Sequence, residues 1–150
     1  MAEYLADLQN VSLNNPVQFD ASIPCTRGLV YHEDGTGIFI LRGVTPNCFA
    51  RYRVTFVGNI AIPEESGEVT PIGMAIAVNC EPRMASLGIF TPQAVDEYGC
   101  ITCSTTVTVP KGSSFSLSVR YVDATTDNPV VEPTQLIEVQ NGNLIITRTA

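Results

Sequence analysis

Residues 114–121 read Ser114-Phe115-Ser116-Leu117-Ser118-Val119-Arg120-Tyr121, and apolar side chains alternate with polar ones along nearly the whole stretch. Successive side chains of a β-strand point to opposite faces of its sheet, so this alternation predicts a half-buried strand. Residues 51–56, Arg-Tyr-Arg-Val-Thr-Phe, have the same period of two. Both stretches would turn their aromatic and aliphatic side chains toward a core.

Shorter runs with the same pattern predict further strands, and Gly, Pro and Asn lie between them. These runs are 17–19, 28–32, 37–41, 69–78, 88–90, 105–109, 136–139 and 144–148. Asn141-Gly142, between the last two, predicts a tight hairpin. Residues 3–8 would form one or two helical turns. With no linker or repeat, the sequence predicts one all-β sandwich over 13–150, preceded by a short docking segment, 1–12.

The composition excludes several classes of partner. Only 15% of the 150 residues are charged, against roughly 25% in an average soluble domain, which favours association between copies. The net charge is −7 and the eight Lys and Arg residues are scattered, which argues against binding to nucleic acid or anionic membranes. No apolar run is long enough to span a bilayer, and the acidic N-terminus does not resemble an export signal.

Four stretches together resemble a known family. They are Asn15-Pro16-Val17-Gln18-Phe19, then residues 35–41 and 51–56, and finally Asn143-Leu144-Ile145-Ile146-Thr147-Arg148. The pattern resembles the tumour necrosis factor and complement globular-head superfamily, in particular its bacterial and phage members. The resemblance implies a ten-stranded jelly-roll β-sandwich that assembles as a compact homotrimer. There is no Gly-X-Y segment, so a collagen stalk is not expected.

The resemblance also implies which kind of surface forms the trimer, namely one apolar, aromatic sheet face. Met74 and Ile76 alternate with Ala75 and Ala77, so both faces of this predicted strand are apolar. In a two-layer sandwich the second face would then be covered by another subunit. The candidates for the trimer interface are Tyr52, Val54, Phe56, Met74, Ile76 and Tyr121.

Few residues suggest chemistry, and no catalytic, cofactor or metal site is predicted. The single histidine, His32, is expected at the surface or lining a trimer. Cys100 and Cys103 form a C-x-x-C, but a spacing of three puts them on opposite faces of a strand, which suits neither zinc nor redox chemistry. The five cysteines are expected to be mostly buried, reduced thiols. The alternative is a disulfide or metal bridge between subunits, such as one cysteine per chain at a three-fold axis.

Two loops with loosely grouped carboxylates leave calcium binding open as an alternative to solvated charge. The groups are Glu64, Glu65 and Glu68, and Asp123, Asp127 and Glu132. Neither group has a recognised calcium-loop spacing.

The sequence and the resemblance lead to a functional hypothesis: a non-enzymatic bacteriophage virion accessory, such as a capsid decoration or fibre-like protein. It would assemble in the host cytoplasm, and Tyr4, Leu5 and Leu8 would dock it to a capsid or other virion protein. A glycan- or receptor-binding module is the first alternative, with Tyr98 and Phe49 as stacking candidates. A bacterial exosporium or cell-surface protein is the second.

Overall fold

The computed structural model describes residues 2–23, 29–66, 69–123 and 136–150. Within these residues the chain forms β-strands and two single 3-10 turns, which confirms the predicted all-β class. The strands are β1 Ala2–Ala6, β2 Gln9–Ser12, β3 Ala21–Ile23, β4 Val30–His32, β5 Phe39–Arg42, β6 Phe49–Ala61, β7 Ile72–Val78, β8 Glu81–Pro82, β9 Gly88–Phe90, β10 Gly99–Pro110, β11 Ser114–Val122 and β12 Leu136–Arg148.

The strands form two antiparallel sheets. Sheet A has the order β10-β6-β12-β1-β3, and β2 also pairs with β12. Sheet B has the order β4-β5-β11-β7-β8, and β9 also pairs with β7. Strands that are adjacent in a sheet are often distant in the sequence, as in β1 beside β12. The chain therefore crosses repeatedly between the sheets, as it does in a jelly roll.

The core lies between the sheets and follows the predicted alternation. Tyr52, Val54 and Phe56 of β6 are fully buried, while the residues between them on β6 are exposed or half-buried. Leu117, Val119 and Tyr121 of β11 are buried in the same way from sheet B. Each side chain of this size contributes about 1.5–3 kcal/mol by leaving water. These residues belong to the single apolar cluster that lies between the two sheets.

The hairpin predicted at Asn141-Gly142 does not form. Residues 136–148 make one continuous strand, β12, and Asn141 and Gly142 form a bulge in it. Gln140 pairs with Asn59 and Asn143 with Val57, so two residues of β12 oppose one residue of β6. Asn141 has the left-handed φ of 54° that its residue type tolerates. Strands on both sides of β12 hold the chain extended through a dipeptide that favours a turn.

The N-terminal segment is also different from the prediction. Residues 2–6 and 9–12 form β1 and β2 rather than helical turns or a separate tail. β1 pairs with β12 on one side and β3 on the other, and Ala2, Tyr4 and Ala6 face the core. The apolar residues at alternate positions therefore serve a strand inside the domain, because the sheet provides partners that the local sequence does not reveal.

The expectation about Ala75 and Ala77 is corrected as well. Both residues are fully buried within a single chain, so no second copy is needed to cover this side of β7. Ser118 pairs with Ala77 and Arg120 with Ala75, and Ser118 is itself buried. Small side chains here fit beneath other parts of the same chain.

Candidate subunit interface

The six residues expected to contact a second subunit lie in the core of one chain. Tyr52, Val54, Phe56, Met74, Ile76 and Tyr121 all have no exposed side-chain surface. A side chain that its own chain already covers cannot form the outer surface of the molecule. This assignment is therefore corrected: the apolar faces of β6, β7 and β11 pack against each other, and any contact with a second copy uses a different face.

The outer face of sheet A offers such a surface, because neighbouring strands place apolar and small polar side chains in register. One row across the sheet contains Leu5, Asn143, Val57 and Thr102, and the next contains Glu3, Ile145, Thr55 and Ser104. Leu5 is 43% and Val57 39% exposed, while Ile145 is half-buried. Glu3 is the only charged residue in the two rows. We call these eight residues the outer patch.

One polar atom in the outer patch lacks a partner. The Asn143 side chain donates from Nδ2 to Glu3 Oε1 at 2.9 Å, but its Oδ1 is buried without a hydrogen bond to any described residue. An unsatisfied buried acceptor costs about 1–3 kcal/mol. A donor from outside the chain would remove this cost, so the patch is chemically incomplete in an isolated subunit.

The three docking candidates are split by the fold. Tyr4 is buried, and its ring packs edge-on against Phe39 with 4.6 Å between centroids. Leu5 belongs to the outer patch, and Leu8 is 59% exposed in the turn between β1 and β2. Tyr4 is therefore a core residue, whereas Leu5 and Leu8 are available for contact with another molecule.

His32 is not at the surface as expected. Its side chain is 1% exposed and stacks on Phe39 with 4.2 Å between ring centroids. Nε2 lies 2.8 Å from the Thr36 carbonyl oxygen, so this nitrogen carries the proton and donates. Nδ1 has no hydrogen-bond partner among the described residues. His32 packs against aromatic rings, and no serine or cysteine of the described residues is hydrogen-bonded to it. These contacts indicate a structural role for His32.

The cysteines of the C-x-x-C lie on opposite faces of β10, as predicted. Cys100 is exposed on the outer face of sheet A, and Cys103 is buried, with Sγ donating to the Met74 carbonyl oxygen at 3.1 Å. Burial raises the pKa of Cys103 to about 11, against a smaller lowering effect of its hydrogen bond with the Gly88 backbone. Cys48 and Cys80 are also exposed free thiols, so the expectation of mostly buried cysteines is wrong for the four described ones; Cys25 lies outside the described residues.

We expect the Cys103 thiol to resist alkylation by iodoacetamide at pH 8 in the folded protein, while Cys80 reacts readily. The raised pKa keeps the Cys103 thiol protonated at pH 8. The protonated thiol's contribution to the stability of the folded chain is complete below about pH 9 and is lost as the pH rises toward 11. Peptide mass spectrometry before and after unfolding in urea measures both sites. Equal labelling of Cys80 and Cys103 in the native protein would contradict a buried, protonated Cys103 thiol.

Two of the carboxylates considered for calcium, Glu64 and Glu65, lie at one end of the sandwich. Glu64 and Glu65 join Asp96 and Glu138 around a cavity of about 500 Å³. Glu68, Asp127 and Glu132 lie outside the described residues. In the described ranges no group of three or more His, Cys, Asp or Glu side chains has the geometry of a metal site. Calcium binding stays an untested sequence-based alternative.

The two stacking candidates are far apart. Tyr98 directly precedes β10, whereas Phe49 pairs with Pro110 at the other end of that strand. At about 3.3 Å per residue the two positions are separated by roughly 40 Å along the strand. Phe49 instead lies under the Arg51 guanidinium, 5.1 Å from the ring centroid. The fold does not bring Tyr98 and Phe49 into one stacking platform.

Comparison with solved structures identifies the architecture. The globular domain of zebrafish complement 1qA aligns over 96% of this chain and 94% of its own, with a TM-score of 0.58 and 11% identity. Eiger TNF from S. frugiperda aligns over 100% and 92%, with a TM-score of 0.60 and 10% identity. The chain has the TNF-like jelly-roll fold. Murine APRIL also aligns over 95% of this chain and 96% of its own, with a TM-score of 0.56 and 9% identity.

At these identities the TNF-like likeness concerns the fold alone. No protein-family model matches the sequence, and neither does any curated protein sequence. Within the described residues no helix is long and apolar enough to cross a membrane. The family resemblance found in the sequence is confirmed at the level of the fold, and the function has to be argued from the surface of this chain.

Proposed function

We propose that this chain is a non-enzymatic structural module that assembles as a homotrimer through the outer patch of sheet A. The observation that carries the proposal is the buried Asn143 Oδ1, which has no partner among the described residues and lies in a patch whose one charged residue is Glu3. Leu5, Val57 and Ile145 surround it on three adjacent strands. Contact with another copy would bury these side chains and supply the missing donor.

The balance of charge on this face also supports self-association. Burying a charged group without a partner is costly, and the outer patch holds one carboxylate, that of Glu3, already hydrogen-bonded to Asn143. On β10 the outward side chains after Cys100 are Thr102, Ser104, Thr106 and Thr108, which lose little entropy and no charge solvation on burial. β10 is also an edge strand of twelve residues without a charged residue, a feature that soluble proteins usually cover.

We expect the unmodified protein to have three times the chain mass of 16.1 kDa in light scattering at micromolar concentration. Val57→Arg should shift it to a single chain, because three guanidinium groups would enter an interface whose one carboxylate, that of Glu3, is already hydrogen-bonded to Asn143. Ile89→Arg is the matched control: Ile89 is 57% exposed on β9 of sheet B and lies outside the patch. It should leave the trimer intact.

A single-chain mass for the unmodified protein, or equal masses for the two variants, would contradict assembly through the outer patch. Circular dichroism on both variants separates dissociation from unfolding. Since Val57 points outward, its replacement should keep the spectrum of the folded chain.

A role as a bacteriophage capsid decoration or fibre-like protein, assembled in the host cytoplasm, is the finer part of the proposal. It is supported by the sequence resemblance to phage and bacterial members of the tumour necrosis factor and complement globular-head superfamily. A trimer would also present three exposed copies of Leu8 to a partner. Co-sedimentation of the unmodified chain and of Leu8→Ser with phage particles tests this role. The exosporium or cell-surface alternative predicts instead that the protein is recovered with spores or cell envelopes.

A further inference from the structure

One end of the sandwich carries most of the positive charge of this acidic chain. Its cations are Arg42 at the end of β5, Arg51 and Arg53 near the start of β6, Lys111 after β10 and Arg148 at the end of β12. These are five of the eight Lys and Arg residues in a chain with a net charge of −7. We call this set the basic pole.

Backbone hydrogen bonds hold the segments of the basic pole together. Gly43 N–H donates to the Ser113 carbonyl at 2.8 Å, and Lys111 N–H donates to the Cys48 carbonyl at 2.9 Å. Arg51 N–H donates to Ala150 O at 3.1 Å, which ties the start of β6 to the end of the chain. The cations therefore belong to one structured end of the molecule rather than to independent loops.

No acidic side chain balances these cations. Residues 42–53, 104–116 and 144–150 contain no Asp or Glu. None of the five cations forms a salt bridge with a described carboxylate. Glu138 lies toward the other end, where it pairs with Ala61, ten residues along β6 from Arg51. At about 3.3 Å per residue the two ends are roughly 33 Å apart, well beyond the Debye length of about 8 Å at physiological salt.

The basic pole contains a cavity with an apolar wall and one guanidinium. Its volume is about 580 Å³, and its described lining consists of Leu29, Val44, Pro46 and Arg148. Arg148 continues the inward-facing positions of β12, after Leu144 and Ile146, so it lies at the open end between the sheets. Its Nε donates to Ala150 O at 2.9 Å and its Nη1 to Val44 O at 2.6 Å. The Nη2 group has no partner among the described residues and is free to donate.

From these observations we propose that the basic pole binds a compact organic carboxylate, with the carboxylate group on Arg148 and an apolar or C–H face against Leu29, Val44 and Pro46. The cavity is in the range of small-molecule sites, and the hydrogen bonds from Arg148 to Val44 O and Ala150 O already hold the guanidinium in one orientation. Arg42 and Lys111 supply the surrounding positive potential. The site does not depend on the trimer proposed above.

The same charges disfavour a long polyanion such as duplex DNA. The cations are grouped at one end instead of along a strand or groove, and the remaining surface is strongly acidic. A long polyanion would extend beyond the pole and be repelled there, whereas a ligand that fits the cavity stays beside the Arg148 guanidinium. The carboxylate has two sources: the acidic sugar of a glycan and a free aliphatic acid.

Isothermal titration with methyl glucuronoside and with hexanoate, at low ionic strength, tests the site and separates the two sources. Binding of either probe supports the proposal, and the tighter probe identifies the source. Val44→Glu should weaken binding at least about tenfold relative to the isosteric Val44→Gln, because it adds a negative charge to the wall. Val44 is 61% exposed, so neither variant should unfold the chain.

Loss of charge provides an independent test. Lys111→Gln should weaken binding several-fold, whereas Arg120→Gln, which removes a cation six residues along β11 from the partner of Arg42, should not. The proposal is overturned if neither carboxylate binds, if methyl glucoside binds as tightly as methyl glucuronoside, if Val44→Glu and Val44→Gln bind equally, or if a twelve-base-pair duplex binds more tightly than both carboxylates.

Discussion

A chain that lacks residues 1–8 is expected to be unfolded, and not merely unable to attach to a partner. The truncation removes β1 from the interior of sheet A, so β12 and β3 lose the strand between them. It also removes Ala2, Tyr4 and Ala6 from the core. Losing Tyr4 alone costs on the order of 3 kcal/mol, a large share of the roughly 5–15 kcal/mol that stabilises a typical domain. Circular dichroism and urea titration measure the outcome.

The matched control changes only the outward side chains of the same segment. Leu5→Ser and Leu8→Ser together should leave the spectrum and the cooperative urea transition of the folded chain, because both residues are exposed. If the truncated protein unfolds at the same urea concentration as the full chain, β1 is not part of the cooperative unit. Residues 1–12 would then be the separate docking segment that the sequence predicts.

Gly43→Ala is expected to destabilise the protein by about 3 kcal/mol, the second large effect. A Cβ atom at this position would overlap the Pro110 carbonyl oxygen and lie 3.1 Å from that of Ser113. Both atoms belong to the backbone, so a rotamer change cannot relieve the contact. The segment would have to move apart, breaking the Gly43 N–H bond to Ser113 and the Gly112 N–H bond to Gly43 O.

Gly112 in the same turn gives the control. It has a φ of 80°, but a Cβ there meets no atom within 4 Å. Asn tolerates this left-handed conformation better than other residues with a side chain, so Gly112→Asn should cost no more than about 1 kcal/mol. Urea unfolding of the two variants distinguishes steric overlap from backbone preference. Similar losses for Gly43→Ala and Gly112→Asn would contradict a specific close approach at Gly43.

The period of two was sufficient to predict much of the architecture. The run 88–90 is β9, the run 114–121 lies within β11, and the buried set Tyr52, Val54 and Phe56 is the predicted face of β6. The separation of Cys100 and Cys103 onto opposite faces follows from the same rule. These predictions succeed because the alternation of side chains is a local property of an extended backbone and does not depend on the partner strand.

The candidate sites could not be predicted in the same way. Sequence alternation identified the apolar face of β6, but not that sheet B of the same chain covers it. The outer patch has few large apolar residues, and Leu5, Val57 and Ile145 come from three distant parts of the chain. The basic pole was missed because its cations are scattered in the sequence, and only the backbone hydrogen bonds between the loops bring them to one end.

By itself the sequence determined that this chain is a β-sandwich and which side of each long strand is apolar, because both follow from residue type and spacing along an extended chain. Only the tertiary structure decided that Asn141-Gly142 is a bulge, that β1 is an internal strand, and which surfaces remain open for a partner. Those outcomes depend on which segments lie side by side. Pairing with distant strands can outweigh the preference of two or three residues for a turn or a helix.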